Sequence, residues 1–290
     1  MNSIPKKGCL YIVPTPIGNL SDMTVRAKNV MEECDFVAAE DTRVSGKLLM
    51  LLGIKKPLVS YHEHNKAYAG KKICDRILSG QVCAIVTDAG TPAISDPGTE
   101  LVSLCAEKNI NVIALPGACA AITALSGSGL PSRRFCFEGF LPDNKNERIE
   151  YLSSAKDEVR TLIYYIAPHD LEKTVTELYE YFGDRKCVLA KELTKLNERY
   201  LYTTLGKLPE QLKKAEPSFK KGEFVLVLEG SSAKNDNDWA DISVEEHLLR
   251  YIKLGVKKMD ACKLVAKERG ISKASVYKIA TEMKELDYKK

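Results

Sequence analysis

The sequence has no apolar run near the roughly 20 residues that span a bilayer. Its first apolar stretch, residues 9–13, is too brief for the core of a signal peptide. The chain is therefore expected in the cytoplasm and off the membrane. No C-x-x-C pair occurs among the nine cysteines, whose number is odd and whose spacing is wide. That pattern excludes a disulfide framework or a zinc cluster, and predicts reduced, mostly buried thiols. There is no Walker loop, no G-x-G-x-x-G and no H-E-x-x-H, nor a Ser-His-Asp order. Phosphoryl transfer, dinucleotide binding and zinc hydrolysis are disfavoured accordingly. His62 and His64 flank Glu63, but no third ligand accompanies them, so no metal is expected.

What is present is the material of a folded enzyme. The chain has 290 residues, too many for one typical domain, and 44% are hydrophobic. Short apolar runs at 9–13, 36–39, 58–61, 82–87, 112–115 and 135–140 alternate with helix-spaced segments at 24–34, 42–52 and 100–108. Continuous apolar strands alternating with helices indicate an α/β layer with a largely parallel sheet. A polar, turn-rich stretch at 141–146 ends this part, and a helix is expected at 147–154. Strands at 161–166, 187–191, 200–204 and 224–228 follow with less regular alternation, which predicts a second, mixed sheet. Residues 231–238 read as a linker. We therefore expect three domains, at 1–142, 143–230 and 231–290.

The last segment reads as three short helices. Ser243 with Glu246 forms a capping box, and Gly255 would end that helix. Asp260 and Ser272 are candidate caps for two more, with Gly270 between them. This is the pattern of a helix-turn-helix or of a plain helical hairpin. The formal net charge is +4, but from Arg250 to Lys290 twelve Lys/Arg face five Asp/Glu, a net +7. The basic end is a candidate phosphate-binding surface, or simply a solvated face.

Polar and small residues gather where strands should end, which is where open α/β sheets bind ligands. Val13-Pro14-Thr15-Pro16-Ile17-Gly18-Asn19-Leu20 follows the first strand, stiffened by its prolines, with Asp22 a candidate cap for the next helix. Thr87-Asp88-Ala89-Gly90-Thr91-Pro92-Ala93-Ile94-Ser95-Asp96-Pro97-Gly98 follows the most apolar strand, and Asp88 and Asp96 could accept hydrogen bonds from a ligand. Leu115-Pro116-Gly117-Ala118-Cys119-Ala120-Ala121 has side chains small enough to admit a flat group. Glu40-Asp41-Thr42-Arg43 and Lys191-Glu192-Leu193-Thr194-Lys195 add charged clusters. Each alone reads equally well as a capped turn, tight packing or a salt bridge.

Taken in chain order, the motifs at 13–20, 40–43, 87–92 with 94–98, Phe137-Glu138-Gly139-Phe140-Leu141-Pro142 and 192–195 together resemble the cytidine 2′-O-methyltransferases of small-subunit ribosomal RNA, in the tetrapyrrole methylase superfamily. The resemblance spans nearly the whole chain. It implies two α/β domains with S-adenosylmethionine in the cleft between them, a small C-terminal helical module, a homodimer, and the small ribosomal subunit or its RNA as partner. By motif position it implies cofactor contacts at Pro16, Ile17, Gly18, Gly90, Thr91, Ile94, Cys119, Ala120, Ile166 and Ala167. The chain departs from the family pattern at Ile166-Ala167-Pro168-His169-Asp170, where Glu-Ser-Pro-His-Arg is usual. It also departs at Asn197 and Arg199, where a His and an acidic residue are usual.

The sulfonium of such a cofactor makes the methyl electrophilic, so the protein must place the ribose oxygen in line and exclude water. Candidate bases are Asp88, Asp41 and Glu192, with Lys195 or Arg43 to stabilise developing charge. Arg133, Arg134, Lys145 and Arg148 are candidate RNA contacts. Two other classes stay open: a methyltransferase acting on a small tetrapyrrole, and a non-catalytic nucleic-acid-binding protein whose α/β part senses a ligand.

Overall fold

The computed structural model describes residues 7–232, 242–253 and 256–283. The chain divides into two compact units, Met1–Gly230 and Ser231–Lys290. The first holds two five-stranded sheets.

The first sheet uses β1 (Cys9–Ile12), β2 (Phe36–Ala39), β3 (Leu58–Ser60), β4 (Cys83–Val86) and β5 (Asn111–Ala114). Its order is β3-β2-β4-β1-β5, and every pairing is parallel. β2 and β4 are buried along their whole length, as central parallel strands covered on both faces must be. The covering helices are α1 (Val25–Glu33), α2 (Thr42–Leu51), α3 (Lys66–Leu78) and α4 (Thr99–Glu107). α1 buries Ala27, Val30 and Met31, spaced three and four apart, and Thr24 caps it by accepting from the Ala27 amide. Asp22, expected as that cap, instead lies in a preceding single 3-10 turn that Asn19 caps. The sheet thus has two cores, one on each face. One is built around Met31, Val37 and Ala84, the other around Phe36, Ile73 and Leu101.

The chain crosses to the second sheet through α5 (Ala120–Ser128) and β6 (Phe135–Gly139). β6 pairs in parallel with β7 (Thr161–Ile166), so it belongs to the second sheet. The sequence reading grouped it with the first layer, because an apolar run carries no record of its partner. The other members are β8 (Lys186–Lys191), β9 (Arg199–Thr204) and β10 (Phe224–Leu228), in the order β6-β7-β10-β8-β9. β10 is antiparallel to both neighbours, which makes the sheet mixed, as expected. α6 (Lys145–Ala155), α7 (Leu171–Phe182) and α8 (Leu208–Lys214) pack on one face. α5 packs on the other, in a core that includes Ile17 and Leu193. The loop after β1 is therefore anchored in the core of the second sheet.

The second unit contains α9 (Val244–Lys253), α10 (Lys258–Arg269) and α11 (Lys273–Glu282) around Leu248, Cys262, Val265 and Val276. Ser243 accepts from the Glu246 amide, Gly270 ends α10 in the left-handed region, and Ser272 caps α11. Asp260 is no cap: it lies inside the first turn of α10, paired with Lys263. Gly255 and residues 233–238 of the expected linker lie outside the described residues. All nine cysteines are free, and seven are buried. No helix among the described residues is long and apolar enough to cross a membrane.

Candidate functional site

The loops after β1 and β4 are joined by an isolated antiparallel bridge between Thr15 and Gly90. The Thr15 amide donates to the Gly90 carbonyl at 2.8 Å, and the Gly90 amide returns the bond at 3.0 Å. Thr15 is 1% exposed, and its hydroxyl donates to the Thr87 carbonyl at 3.1 Å. Beyond this bridge the 88–98 loop doubles back. Ala93 and Ser95 both sit at positive φ, 68° and 64°, a conformation rare for residues with a side chain. Gly98 permits the fold-back, since a Cβ there would lie 3.0 Å from the Ala93 nitrogen. The Thr91 hydroxyl ties the loop to the Ala118 carbonyl at 2.8 Å.

These loops enclose one side of a cavity of about 350 Å³. Ile17, Gly90, Thr91, Ile94, Cys119 and Ala120 line it from the first sheet's loops and α5. Ile166 and Ala167 line it from the end of β7, opposite. Of the ten residues singled out for a cofactor, eight meet around this space. Pro16 and Gly18 do not. Gly18 lies against the side chains of Thr194 and Lys195. The sequence reading left out Phe140, Tyr165, Leu193, Glu223, Phe224 and Val225, which complete the lining from the second sheet. Tyr165 is fixed by edge-on contacts with Phe137 and Phe140, and its hydroxyl accepts from the Ala121 amide at 3.2 Å. Phe140 and Leu193 fall inside quoted motifs but were given no cofactor contact, and no motif marks Tyr165, Glu223, Phe224 or Val225. They lie on strands or strand ends whose aim depends on tertiary packing.

The charged candidates separate by geometry. Asp41 caps α2 by accepting from the Arg43 amide at 2.8 Å, and it pairs with the Arg43 guanidinium at 2.6 Å. Hydrogen bonds from Arg43 hold its carboxyl well below the usual carboxylate range. Asp88 is exposed at the rim and accepts from the Asp41 amide at 3.2 Å. Burial pushes the Asp88 carboxyl up, the backbone bond opposes it, and Glu40 and Asp41 add negative charge nearby. Glu192 accepts from the Glu223 amide at 2.9 Å and from Lys195 at 3.0 Å. The Glu223 amide, against a smaller burial effect, lowers its carboxyl. Lys195 also reaches Glu223 at 3.1 Å. Burial lowers the Lys195 ammonium, but these two carboxylates outweigh it and raise it. None of Asp41, Arg43, Asp88, Glu192 or Lys195 lines the cavity.

Asp96 does line it. Burial raises its carboxyl to about 6, aided by the charge of Glu40 and opposed by the nearby Thr87 hydroxyl. Thr87 donates its hydroxyl proton to Glu40 at 2.8 Å.

Of the candidate RNA contacts, Arg133, Arg134 and Lys145 are exposed. Arg148 is not, being 5% exposed. Its guanidinium pairs with Glu177 at 2.5 Å and donates to Thr174 at 2.9 Å, between α6 and α7. It belongs to the core, because its helix turns that face inward and Glu177 neutralises it there. Among the described residues no group of three or more His, Cys, Asp or Glu could hold a metal ion.

Residues 9–209 match the family model of tetrapyrrole (corrin/porphyrin) methylases. The ribosomal RNA small subunit methyltransferase I of Halalkalibacterium halodurans is 45% identical over 276 residues, covering 94% of each chain. That of Bacillus subtilis is 42% identical over 274 residues, covering 93% of each. Among solved structures, a cobalt precorrin-4 methyltransferase aligns with TM-score 0.55 and 18% identity, over 76% of this chain and 94% of its own. A Thermus thermophilus uroporphyrin-III C-methyltransferase complexed with S-adenyl homocysteine aligns with TM-score 0.52 and 18% identity, over 77% and 97%. The chain belongs to the tetrapyrrole methylase family, in the branch of the ribosomal RNA small subunit methyltransferases I, and is an S-adenosylmethionine-dependent methyltransferase.

Proposed function

We propose that this protein transfers a methyl group from S-adenosylmethionine to the 2′-hydroxyl of a cytidine in small-subunit ribosomal RNA. One observation carries the reading. The two fold neighbours above cover 76–77% of the chain, whereas the Halalkalibacterium and Bacillus relatives named for ribosomal RNA cover 93–94%; a third relative so named, from Haemophilus influenzae, covers 80%. The family model, at 9–209, also stops short of the second unit. The matches to the Halalkalibacterium and Bacillus relatives thus extend into the C-terminal helices, of which α10 and α11 carry a net positive charge.

The cavity suits the cofactor. Small side chains at Ala89, Gly90, Cys119, Ala120 and Ala167 leave room for a flat ring, and the aliphatic Ile17, Ile94 and Ile166 exclude water from it. Glu223 offers carboxylate oxygens to hydroxyl or ammonium groups of the cofactor. When bound, S-adenosylmethionine supplies an activated methyl group. The protein's part is to hold the acceptor oxygen in line and keep the site dry. The Thr15–Gly90 bridge and the Tyr165 contacts make the walls rigid enough to do so.

Arg133, Arg134, Lys145 and the basic second unit are our candidates for phosphate contacts. We also take the working form to be a cytoplasmic homodimer that needs no metal, which light scattering and activity in a chelator check.

The test offers labelled-methyl cofactor in parallel to small ribosomal subunits, naked RNA and a tetrapyrrole. The product is digested to nucleosides and weighed. Label in 2′-O-methylcytidine is expected. Label in the tetrapyrrole alone would overturn the proposal in favour of small-molecule methylation.

A further inference from the structure

The cavity presents two carboxylates, Asp96 and Glu223. Glu223 is engaged by Lys195 at 3.1 Å. No cation of a described residue bears on Asp96. Its surroundings are Glu40 and Asp88 from the ends of β2 and β4, the Thr87 hydroxyl, and Tyr165 from β7. The left-handed residues Ala93 and Ser95 turn the loop so that Asp96 faces inward while Asp88 stays at the rim. Every other carboxylate considered for the chemistry is bound elsewhere: Asp41 to Arg43, Asp88 to the Asp41 amide, and Glu192 to Lys195 and the Glu223 amide.

We propose that Asp96 is the catalytic base, accepting the proton of the ribose 2′-hydroxyl. This rests on the RNA 2′-O-methylation reading above. The O–H bond breaks and its proton passes to the Asp96 carboxylate, while an O–C bond forms to the methyl carbon. The S–C bond breaks with its electron pair kept by sulfur, leaving neutral S-adenosylhomocysteine. Asp96 then returns the proton to water. Its position near pH 6 suits a base working at neutral pH, since it is ionised there yet more basic than a free aspartate.

The experiment uses the full chain and intact small subunits. Single-turnover rates are measured from pH 5 to 9 for wild type, Asp96→Asn, Asp96→Glu and Glu40→Gln. S-adenosylmethionine affinity is measured by calorimetry on the same samples. The wild-type rate should rise with pH through about 6 and then level. Asp96→Asn should lose at least about 100-fold in rate, within the usual span of general-base catalysis, and lose the pH limb while keeping cofactor affinity. Asp96→Glu should retain part of the rate and the limb. Glu40→Gln should move the limb to lower pH, because a like charge is gone. An Asp96→Asn enzyme that keeps its rate or its limb would overturn the proposal. So would a loss of cofactor affinity in step with rate, which would make Asp96 a cofactor-holding group. A wild type that labels no ribose sinks the functional reading itself, whereas a wild type that labels RNA beside an unaffected Asp96→Asn sinks only the base.

Discussion

A Cβ on Gly18 would lie 2.4 Å from Cγ of Lys195. The stem of Lys195 thus rests on the loop after β1, and its ammonium is held by Glu192 and Glu223. Lys195, chosen from sequence for charge stabilisation, bridges the first loop and the β8–β9 turn. The turn is itself tightly wound, with Glu192 and Thr194 at positive φ, 50° and 66°.

Gly18→Val should therefore destabilise the first unit. The backbone there has φ of 154°, and the added side chain overpacks a filled contact. Overpacking of this kind costs about 1–3 kcal/mol. Urea denaturation of the variant should show it. Shortening the neighbour in the double variant Gly18→Val, Lys195→Ala should recover part of the loss, giving a coupling energy that differs from zero. Strict additivity would mean the two side chains do not meet in solution.

Arg148 should behave as a core residue and the other three basic candidates as surface residues. Arg148→Ala strands Glu177 and removes a donor to Thr174, for a loss of about 3 kcal/mol, at the low end of the range because Glu177 keeps some water. Arg133→Ala, Arg134→Ala and Lys145→Ala should each change stability by no more than about 0.5 kcal/mol. On the RNA reading, they should weaken small-subunit binding and flatten its salt dependence. Thermal melts and filter binding at several salt concentrations separate the two groups. A stable Arg148→Ala with weakened binding would return that residue to the RNA surface.

That Arg148 misled the sequence reading shows what sequence does and does not carry. Strands such as Phe36–Ala39, Thr161–Ile166 and Phe224–Leu228 begin and end where the apolar runs do, because turn residues bound them. Six of the ten cofactor candidates converge because strand ends of one parallel sheet open on one side, and Ile166 and Ala167 meet them from the end of β7 in the second sheet. A basic residue in a helix, however, reads as surface until its partner is known, and Glu177 lies 29 positions away. Asp88 and Asp96 are equivalent in sequence. What separates them is left-handed backbone at Ala93 and Ser95, which no local pattern of Ala and Ser announces. β6 was assigned to the wrong sheet for a similar reason, since strand character is local and pairing is not.

Removing residues 231–290 should leave the first unit folded. It has four core clusters of its own, and the three helices have another. The shortened protein should melt cooperatively and bind S-adenosylmethionine as the full chain does. Small-subunit affinity should fall, and with it the slope of affinity against salt, because basic side chains are lost. Unchanged affinity and slope would remove the second unit from the RNA interface.

Asp96 carries a stability signature that is independent of catalysis. Its carboxyl is raised from 3.8 to about 6 in the folded protein. The folded state therefore holds the proton more tightly than the unfolded state does. The linked stability is fully present below pH 4 and is lost as pH rises through about 6. At neutral pH the ionised carboxylate thus weighs against folding. Asp96→Asn removes the charge while keeping the size of the side chain. The variant should match wild type near pH 4 and exceed it at pH 7 by about 1 kcal/mol, less than the full shift implies because the half-buried carboxyl keeps water contact. Urea unfolding of both proteins between pH 4 and 8 reads the difference directly. If the stability gap stays flat across that range, Asp96 titrates as an ordinary surface aspartate, and the cavity does not desolvate it. A gap that opens between pH 5 and 7 in the variant's favour is the expected mark of a carboxylate kept at a cost to folding for the sake of the site.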